Sequence, residues 1–296
     1  MQNYLDPRND VVFKIFFEKE KNKFLLIDFL ETVIKPPFPI ENIEFLPTSL
    51  KKENAYEKGA IVDLRLQLQD GTVVHVEMQM WNRKFFKERV LHYWSKVHSQ
   101  QLNSGQDYRL LKPTISISLL NYVEFPDKFI AHNKFILKED FHQKLTLEGL
   151  EMHFIELSKE KAWTSLDKVK YDSLIKWVLF FNFKEDEKKS IRILGQDSKM
   201  AKALKSLEEI SADKETRALA DMREIAELSY RSEINGAYDD GIEKGIEKGI
   251  EKGIEEGDEK RFKITVEKLA RKGMKAKEIA KLLDEDITKI NTLLKK

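Results

Sequence analysis

The chain has 296 residues and a formal net charge of +1, so any basic surface that holds nucleic acid has to be local. It contains no cysteine, which excludes disulfides, thiolate chemistry and cysteine-type zinc sites. Met1 to Phe13 is charged and lacks an apolar signal core, and apolar runs such as Trp177 to Phe181 are far too short to span a bilayer. The expectation is a soluble cytoplasmic protein with no membrane partner.

Residues 9 to 34 read as one or two helices, with Asn9 or Asp10 capping the first and Asn22 a second possible cap. Val12, Phe13, Phe16 and Phe17, then Phe24, Leu25, Phe29 and Leu30, recur at helical spacing. Pro36-Pro37 ends the unit. Ile40 to Leu46 is a short strand candidate, and Lys51 to Gly59 reads as loop.

Ile61 to Met80 is a β-hairpin by pattern. Leu64, Leu66 and Leu68 alternate with Asp63, Arg65, Gln67 and Gln69. Val74, Val76, Met78 and Met80 alternate with His75, Glu77 and Gln79. A two-residue Asp70-Gly71 loop pairs Leu64 with Glu77 and mixes the faces. A three-residue Gln69-Asp70-Gly71 loop, with Gly71 left-handed, pairs Leu64 with Val76 and Leu66 with Val74. The second register sets Asp63 opposite Glu77, with Cβ atoms roughly 5 Å apart. Two like charges there are destabilising unless a cation lies between them, and a hard divalent ion takes such oxygens. The same residues also suit an ordinary solvated strand face.

Asn82 to Asn103 reads as a helix capped by Asn82, with Phe86, Val90, Tyr93, Trp94 and Val97 on its apolar face. Gln101 continues that stripe and either caps a neighbouring strand or points into a site. Pro113 to Leu120, Phe129 to Leu137 and Leu150 to Leu157 read as strands, and Asp172 to Phe183 as an apolar helix. Strand, long helix, strand implies a crossover within one mixed sheet.

From Asp197 the composition becomes charged and helix-favouring. Gly241 to Gly257 repeats G-I-E-K with a period of four. Each interior glycine costs about 1 kcal/mol relative to alanine, so this helix is marginal alone. It is either rescued by self-association on its Gly/Ile face or left as a tether. Arg261 to Lys296 is a locally basic helical tail with helices at Phe262 to Arg271, Ala276 to Leu283 and Ile287 to Leu294. The last two look like a helix-turn-helix pair, suited to DNA docking or to a helical cap or assembly role. The expected domains are 1–195, 196–260 and 261–296.

The D-x(13)-E-x-Q spacing of Asp63, Glu77 and Gln79 on a hairpin resembles the core of the PD-(D/E)XK nuclease superfamily. More narrowly, the chain resembles the Rpn family of recombination-promoting nucleases, also described as transposases. N-D-V-V-F-K-I-F-F at Asn9 to Phe17, R-V-L-H-Y-W at Arg89 to Trp94, Q-L-N-S-G-Q-D-Y at Gln101 to Tyr108 and the G-I-E-K repeat carry it across residues 6 to 260. The resemblance implies an α/β fold: a restriction-endonuclease-like mixed central sheet flanked by helices, here with an all-helical C-terminal extension. It implies a DNA endonuclease dependent on Mg2+, with Mn2+ as substitute. Asp63, Glu77 and the main-chain carbonyl of Met78 hold the metal in this reading. Gln79 stands where the superfamily has lysine, so Lys14, Arg89 or Gln101 is left to supply the missing group, and Asp10 is the candidate extra acidic residue. A homo-oligomer formed through the C-terminal helices is expected. The alternatives are a catalytically weak DNA-binding or assembly protein, and a transposase-like strand transferase.

Overall fold

The computed structural model describes residues 4–50, 60–127, 129–159, 163 and 168–294. The expected loop at 51–59 lies outside them.

Helix α1 (Asp10–Glu18) starts because the Asn9 side chain accepts the Val11 and Val12 N–H groups. A 3-10 turn (Glu20–Asn22) leads into α2 (Lys23–Ile34), which stops at Lys35 in the left-handed conformation, just before Pro36. Asn22 precedes α2 but does not cap it. Its buried amide instead donates to the Phe16 carbonyl at 2.6 Å and to Ser206 Oγ at 2.7 Å. The strands are β1 (Ile43–Phe45), β2 (Ser49–Leu50), β3 (Ala60–Ile61), β4 (Leu64–Leu68) and β5 (Val73–Gln79). After α3 (Phe86–Ser99) come β6 (Thr114–Leu120), β7 (His132–Lys138) and β8 (Thr146–Glu156). Helices α4 (Lys168–Phe181), α5 (Glu187–Leu194), α6 (Ser198–Ala212), α7 (Lys214–Arg271), α8 (Ala276–Leu283) and α9 (Ile287–Leu294) complete the chain.

Six strands form one mixed sheet in the order β1-β4-β5-β6-β8-β7. Strands β5, β6 and β8 run parallel, and the other pairs are antiparallel. The crossover from β5 to β6 is made by α3, as the strand, helix, strand order requires.

Period-2 alternation divides the sheet into two unlike faces. Leu64, Leu66, Val74, Val76, Met78, Ile117, Leu119 and Ile155 join the main core with α1, α2 and α4. There Phe13, Phe16, Phe17, Phe29, Trp177, Phe180 and Phe181 meet mostly edge-on or tilted, the arrangement aromatic quadrupoles prefer. The other face carries Arg65, His75, Glu77, Gln79, Thr114, Ser116 and Ser118. Leu120, Met152 and Phe154 on that face pack under Phe86 and Val90 of α3.

Two element boundaries differ from expectation. Helix α3 begins at Phe86, not after an Asn82 cap. Its N-cap position is Phe85 with φ 62°, and no side chain caps it. The chain needs the extra residues to turn from the end of β5 onto the sheet face. Helix α6, charged enough to suggest a separate extension beyond residue 195, instead buries Met200, Ala203, Leu207 and Ile210 in the main core. One apolar stripe suffices for that, whatever the charge of the outer face.

The chain divides into two compact units, Met1–Ile225 and Ala226–Lys296. The second has its own small core of Val266, Ile279, Ala280 and Ile290. The G-I-E-K repeat lies within the continuous helix α7, with Ile242, Ile246, Ile250 and Ile254 exposed. No helix among the described residues is long and apolar enough to cross a membrane.

Candidate active site

The β4–β5 hairpin adopts the three-residue loop. Leu64 pairs with Val76 and Leu66 with Val74. Gly71 has φ +88°, and its N–H donates to the Leu68 carbonyl at 2.9 Å. The conformation is one that L side chains rarely adopt, and a Cβ there would also stand 3.0 Å from Lys112 Cγ.

The β4 ladder ends at Leu64, and at Asp63 the chain bends. In place of a backbone carbonyl, Asp63 Oδ2 accepts the Met78 N–H at 2.7 Å. In return the Asp63 N–H donates to the Glu77 carboxyl group. The two carboxyl groups are thus laced to each other's strands by backbone donors. Burial pushes Asp63 up to about 7. The Met78 N–H opposes the shift, Asp10 adds to it, and Arg223 and Lys14 pull against it. Glu77 is raised well above the usual carboxylate range, first by burial and then by Asp63, with Arg89 opposing. A pair of this kind keeps a proton near neutrality unless a cation replaces it.

The donor set fits a hard divalent ion. Glu77 Oε1 is buried with no hydrogen-bond partner among the described residues, an open acceptor beside a second carboxylate. No group of three or more His, Asp or Glu among them is placed to hold a metal. Two carboxylates, completed by main chain, water and substrate, match the way Mg2+ is commonly held. His75, two residues before Glu77, is fully buried and held down to about 3 by burial and by Arg65, so it stays neutral.

Gln79 is tied at both ends. Its Nε2 donates to the Trp81 carbonyl at 3.0 Å, and its Oε1 accepts Arg89 Nη2 at 2.5 Å. Arg89, on the first turn of α3, also lies over the Phe86 ring at 5.0 Å. The cation at this corner of the site is therefore a guanidinium delivered by α3. From α1, Asp10 and Lys14 both act electrostatically on Asp63. Lys14 Nζ donates to Thr48 Oγ1 at 3.4 Å, and Asp10 pairs with Arg223 at 2.6 Å.

Alone among the sequence candidates, Gln101 lies elsewhere. It donates to the Lys112 carbonyl at 3.0 Å and to Thr114 Oγ1 at 2.8 Å, and accepts the Lys112 N–H at 2.9 Å. Thr114 is in register with Val73, whereas Ser118 is in register with Glu77. That places Gln101 about four residues, roughly 13 Å, along the strands from the carboxylates. It caps the strand entry, and its expected place in the site is corrected accordingly. Two cations were missed from sequence. Arg223 is one. The other is buried Arg8, which grips Asp6 and donates to Asn121 Oδ1 at 3.0 Å; the Asn121 N–H in turn meets the Gln79 carbonyl at 3.0 Å. Asn9-Asp10 reads locally as a helix cap and gives no hint of a partner some two hundred residues away.

The sheet order and the paired carboxylates are accompanied by a match over most of the chain: the model of the PD-(D/E)XK nuclease family transposases covers residues 7–237. The chain belongs to that family. Neither the curated proteins nor the solved structures compared with it gave a match. As a PD-(D/E)XK chain it carries a nuclease-type core. For such nucleases the substrate class is DNA and the usual cofactor a divalent metal. The D…E-x-Q residues, Asp10, Lys14, Arg89 and Arg223 all fall within the matched region.

Proposed function

We propose that this PD-(D/E)XK protein is a Mg2+-dependent DNA endonuclease of the cytoplasm whose cuts promote recombination. The observation that supports it is the facing pair Asp63 and Glu77, half-buried, laced to each other's backbone, and with Glu77 Oε1 left open. Asp63, Glu77 and the Met78 carbonyl would hold Mg2+, or Mn2+ in its place. The bound ion supplies a lowered water pKa and cancels charge on the phosphodiester transition state. Arg89, steadied by Gln79, stands where the developing phosphate charge needs a cation. Lys14 offers a second positive group for the DNA backbone.

A second reading has a specific observation behind it. Gln79 has both amide ends engaged and carries no charge, so the fold also suits a DNA-binding protein with little cleavage. Plasmid nicking with and without Mg2+, beside DNA binding, tests the two. The expectation is nicking that needs the metal and disappears in Asp63→Ala and Glu77→Ala while the fold persists. Full activity in both variants overturns the metal site. Binding without nicking in the wild type selects the second reading. Joined DNA ends as product would point instead to strand transfer.

For assembly, the repeat supports a homodimer. Ile242, Ile246, Ile250 and Ile254 form an i,i+4 ridge, 45–59% exposed. Gly241, Gly245, Gly249 and Gly253 form the groove beside it, with nothing within 4 Å of an added Cβ. The ridge of one copy fits the groove of another at a crossing angle of about −50°. On the helix wheel the Lys row flanks the glycines and the Glu row flanks the isoleucines. In a parallel two-fold pair, Lys244 and Lys248 of one copy then face the Glu row of the second. An antiparallel pair sets like charges together.

A further inference from the structure

Helix α7 touches the active site with its second and third turns. Ser211, just before it, accepts the Leu5 N–H at 2.9 Å. Asn9 Nδ2 donates to the Ala220 carbonyl at 3.3 Å, and Ala220 is buried in the main core. Three residues on, Arg223 meets Asp10. Its Nε lies 2.6 Å from Oδ2 and 2.9 Å from Oδ1, and its Nη2 lies 2.6 Å from Oδ2. Both oxygens of Asp10 are therefore engaged by one guanidinium. The charge on Asp10 reaches both Asp63 and Glu77, and that on Arg223 reaches Asp63. Asp10 is thus near enough to act on the pair but is not joined to it, consistent with the lack of any three-member ligand group among the described residues. The Asp10 side chain is 24% exposed and that of Arg223 42%, so the ion pair sits at the rim, where it can exchange partners at modest cost.

We propose that Arg223 is a positioning residue that holds Asp10 away from the Asp63–Glu77 pair, so that the docking of α7 decides whether the site offers two carboxylates or three. This rests on the reading of Asp63 and Glu77 as the metal pair. With Arg223 in place, Asp10 is neutralised and both its oxygens are used. With Arg223 withdrawn, Asp10 stands at the first position of α1 with Oδ1 held only by the Val11 N–H at 3.0 Å and Oδ2 released, so that a divalent ion at the pair would gain a ligand. Because α7 is also the helix that bears the repeat, whatever strains or lifts its first turns acts on the ligand count.

The test is Mn2+ binding to the full-length chain without DNA, by calorimetry, for the wild type, Arg223→Gln, Asp10→Asn, the double variant, Arg223→Lys and Asp63→Ala. Arg223→Gln should tighten Mn2+ by roughly tenfold. The effect should vanish in the Asp10→Asn background, and Arg223→Lys should stay near wild type. An Arg223→Gln affinity within twofold of wild type overturns the proposal. So does equal tightening with and without Asp10, which would mean a through-space charge effect alone. If Asp63→Ala binds as tightly as wild type, the metal pair itself fails and the role of Arg223 falls with it. If Asp63→Ala abolishes binding while Arg223→Gln changes nothing, only the Arg223 role is lost. Should Arg223→Gln not fold, Arg223→Met in the presence and absence of Asp10 carries the same comparison.

Discussion

Replacing Asp63 by asparagine should stabilise the metal-free protein at alkaline pH and remove its response to Mn2+. Asparagine keeps an oxygen for the Met78 N–H, which Asp63 accepts at 2.7 Å, but has nothing to ionise. In the folded chain Asp63 holds its proton up to about 7, against an ordinary value of 3.8. Folding therefore takes up a proton between those two values. The stability contributed by the protonated carboxyl is fully present below about pH 4 and is lost as pH rises through about 7. At about 1.4 kcal/mol per pH unit, the raised value in the fold sets a ceiling of about 4 kcal/mol. Asp63 is partly exposed, and solvent screening brings the expected gain to roughly 1–3 kcal/mol. Glu77 is raised partly by the charge on Asp63, so the variant relieves it in the same direction. For a unit the size of Met1–Ile225, each kcal/mol moves Tm by roughly 2–4 °C. Thermal unfolding in chelator should show a gap between variant and wild type that opens as pH rises from about 4 and levels off above about 7. Millimolar Mn2+ should raise the wild-type Tm and leave the variant unmoved. Equal Tm values at about pH 8, or a gap independent of pH, would refute the account of Asp63 as a carboxyl held for a cation.

Arg89→Ala should lower kcat for DNA cleavage by about 10²-fold with a smaller change in KM, measured by single-turnover kinetics; an effect on KM alone would make Arg89 a binding residue only. Gln101→Ala should cost about 1 kcal/mol of stability through its lost strand-entry hydrogen bonds and leave nicking within about twofold of wild type, read by denaturant unfolding beside the plasmid assay. Ile246→Glu with Ile250→Glu should give a monomer by light scattering, since both isoleucines are exposed on the repeat ridge; an unchanged mass would remove the repeat from assembly.

The hairpin was legible because two independent signals agree in it. The period of two assigns faces, and only a loop with a left-handed Gly71 keeps those faces consistent, so Leu64 opposite Val76 followed. The aromatic core was legible for the same kind of reason, from Phe13, Phe16 and Phe17 at helical spacing. What failed was set by contacts far away in the chain. Asn22 looks like a cap until Ser206 packs against it. Gln101 left two readings open, and the position of Lys112 decides between them. The start of α3 depends on Phe85 adopting a positive φ, which periodicity does not encode. Arg223 is one of many charged residues on a polar helix, and nothing local marks it as the partner of Asp10. The carboxylate pair and the candidate cations Lys14 and Arg89 were thus open to a reading of the sequence, whereas Arg8 and Arg223 required the fold.

The Asp63 side chain serves as the last rung of the β4–β5 ladder, filling the position of a backbone carbonyl. Chemistry and strand register are thereby one specification. Deleting one residue inside β5, between the turn and Glu77, would slip the strand by one and turn Glu77 toward the aromatic core. Such a chain would retain every ligand residue and lose the means of bringing them together. A one-residue change of length in β5 is thus enough to undo the carboxylate pair, whereas substitutions that keep the alternation leave the register intact.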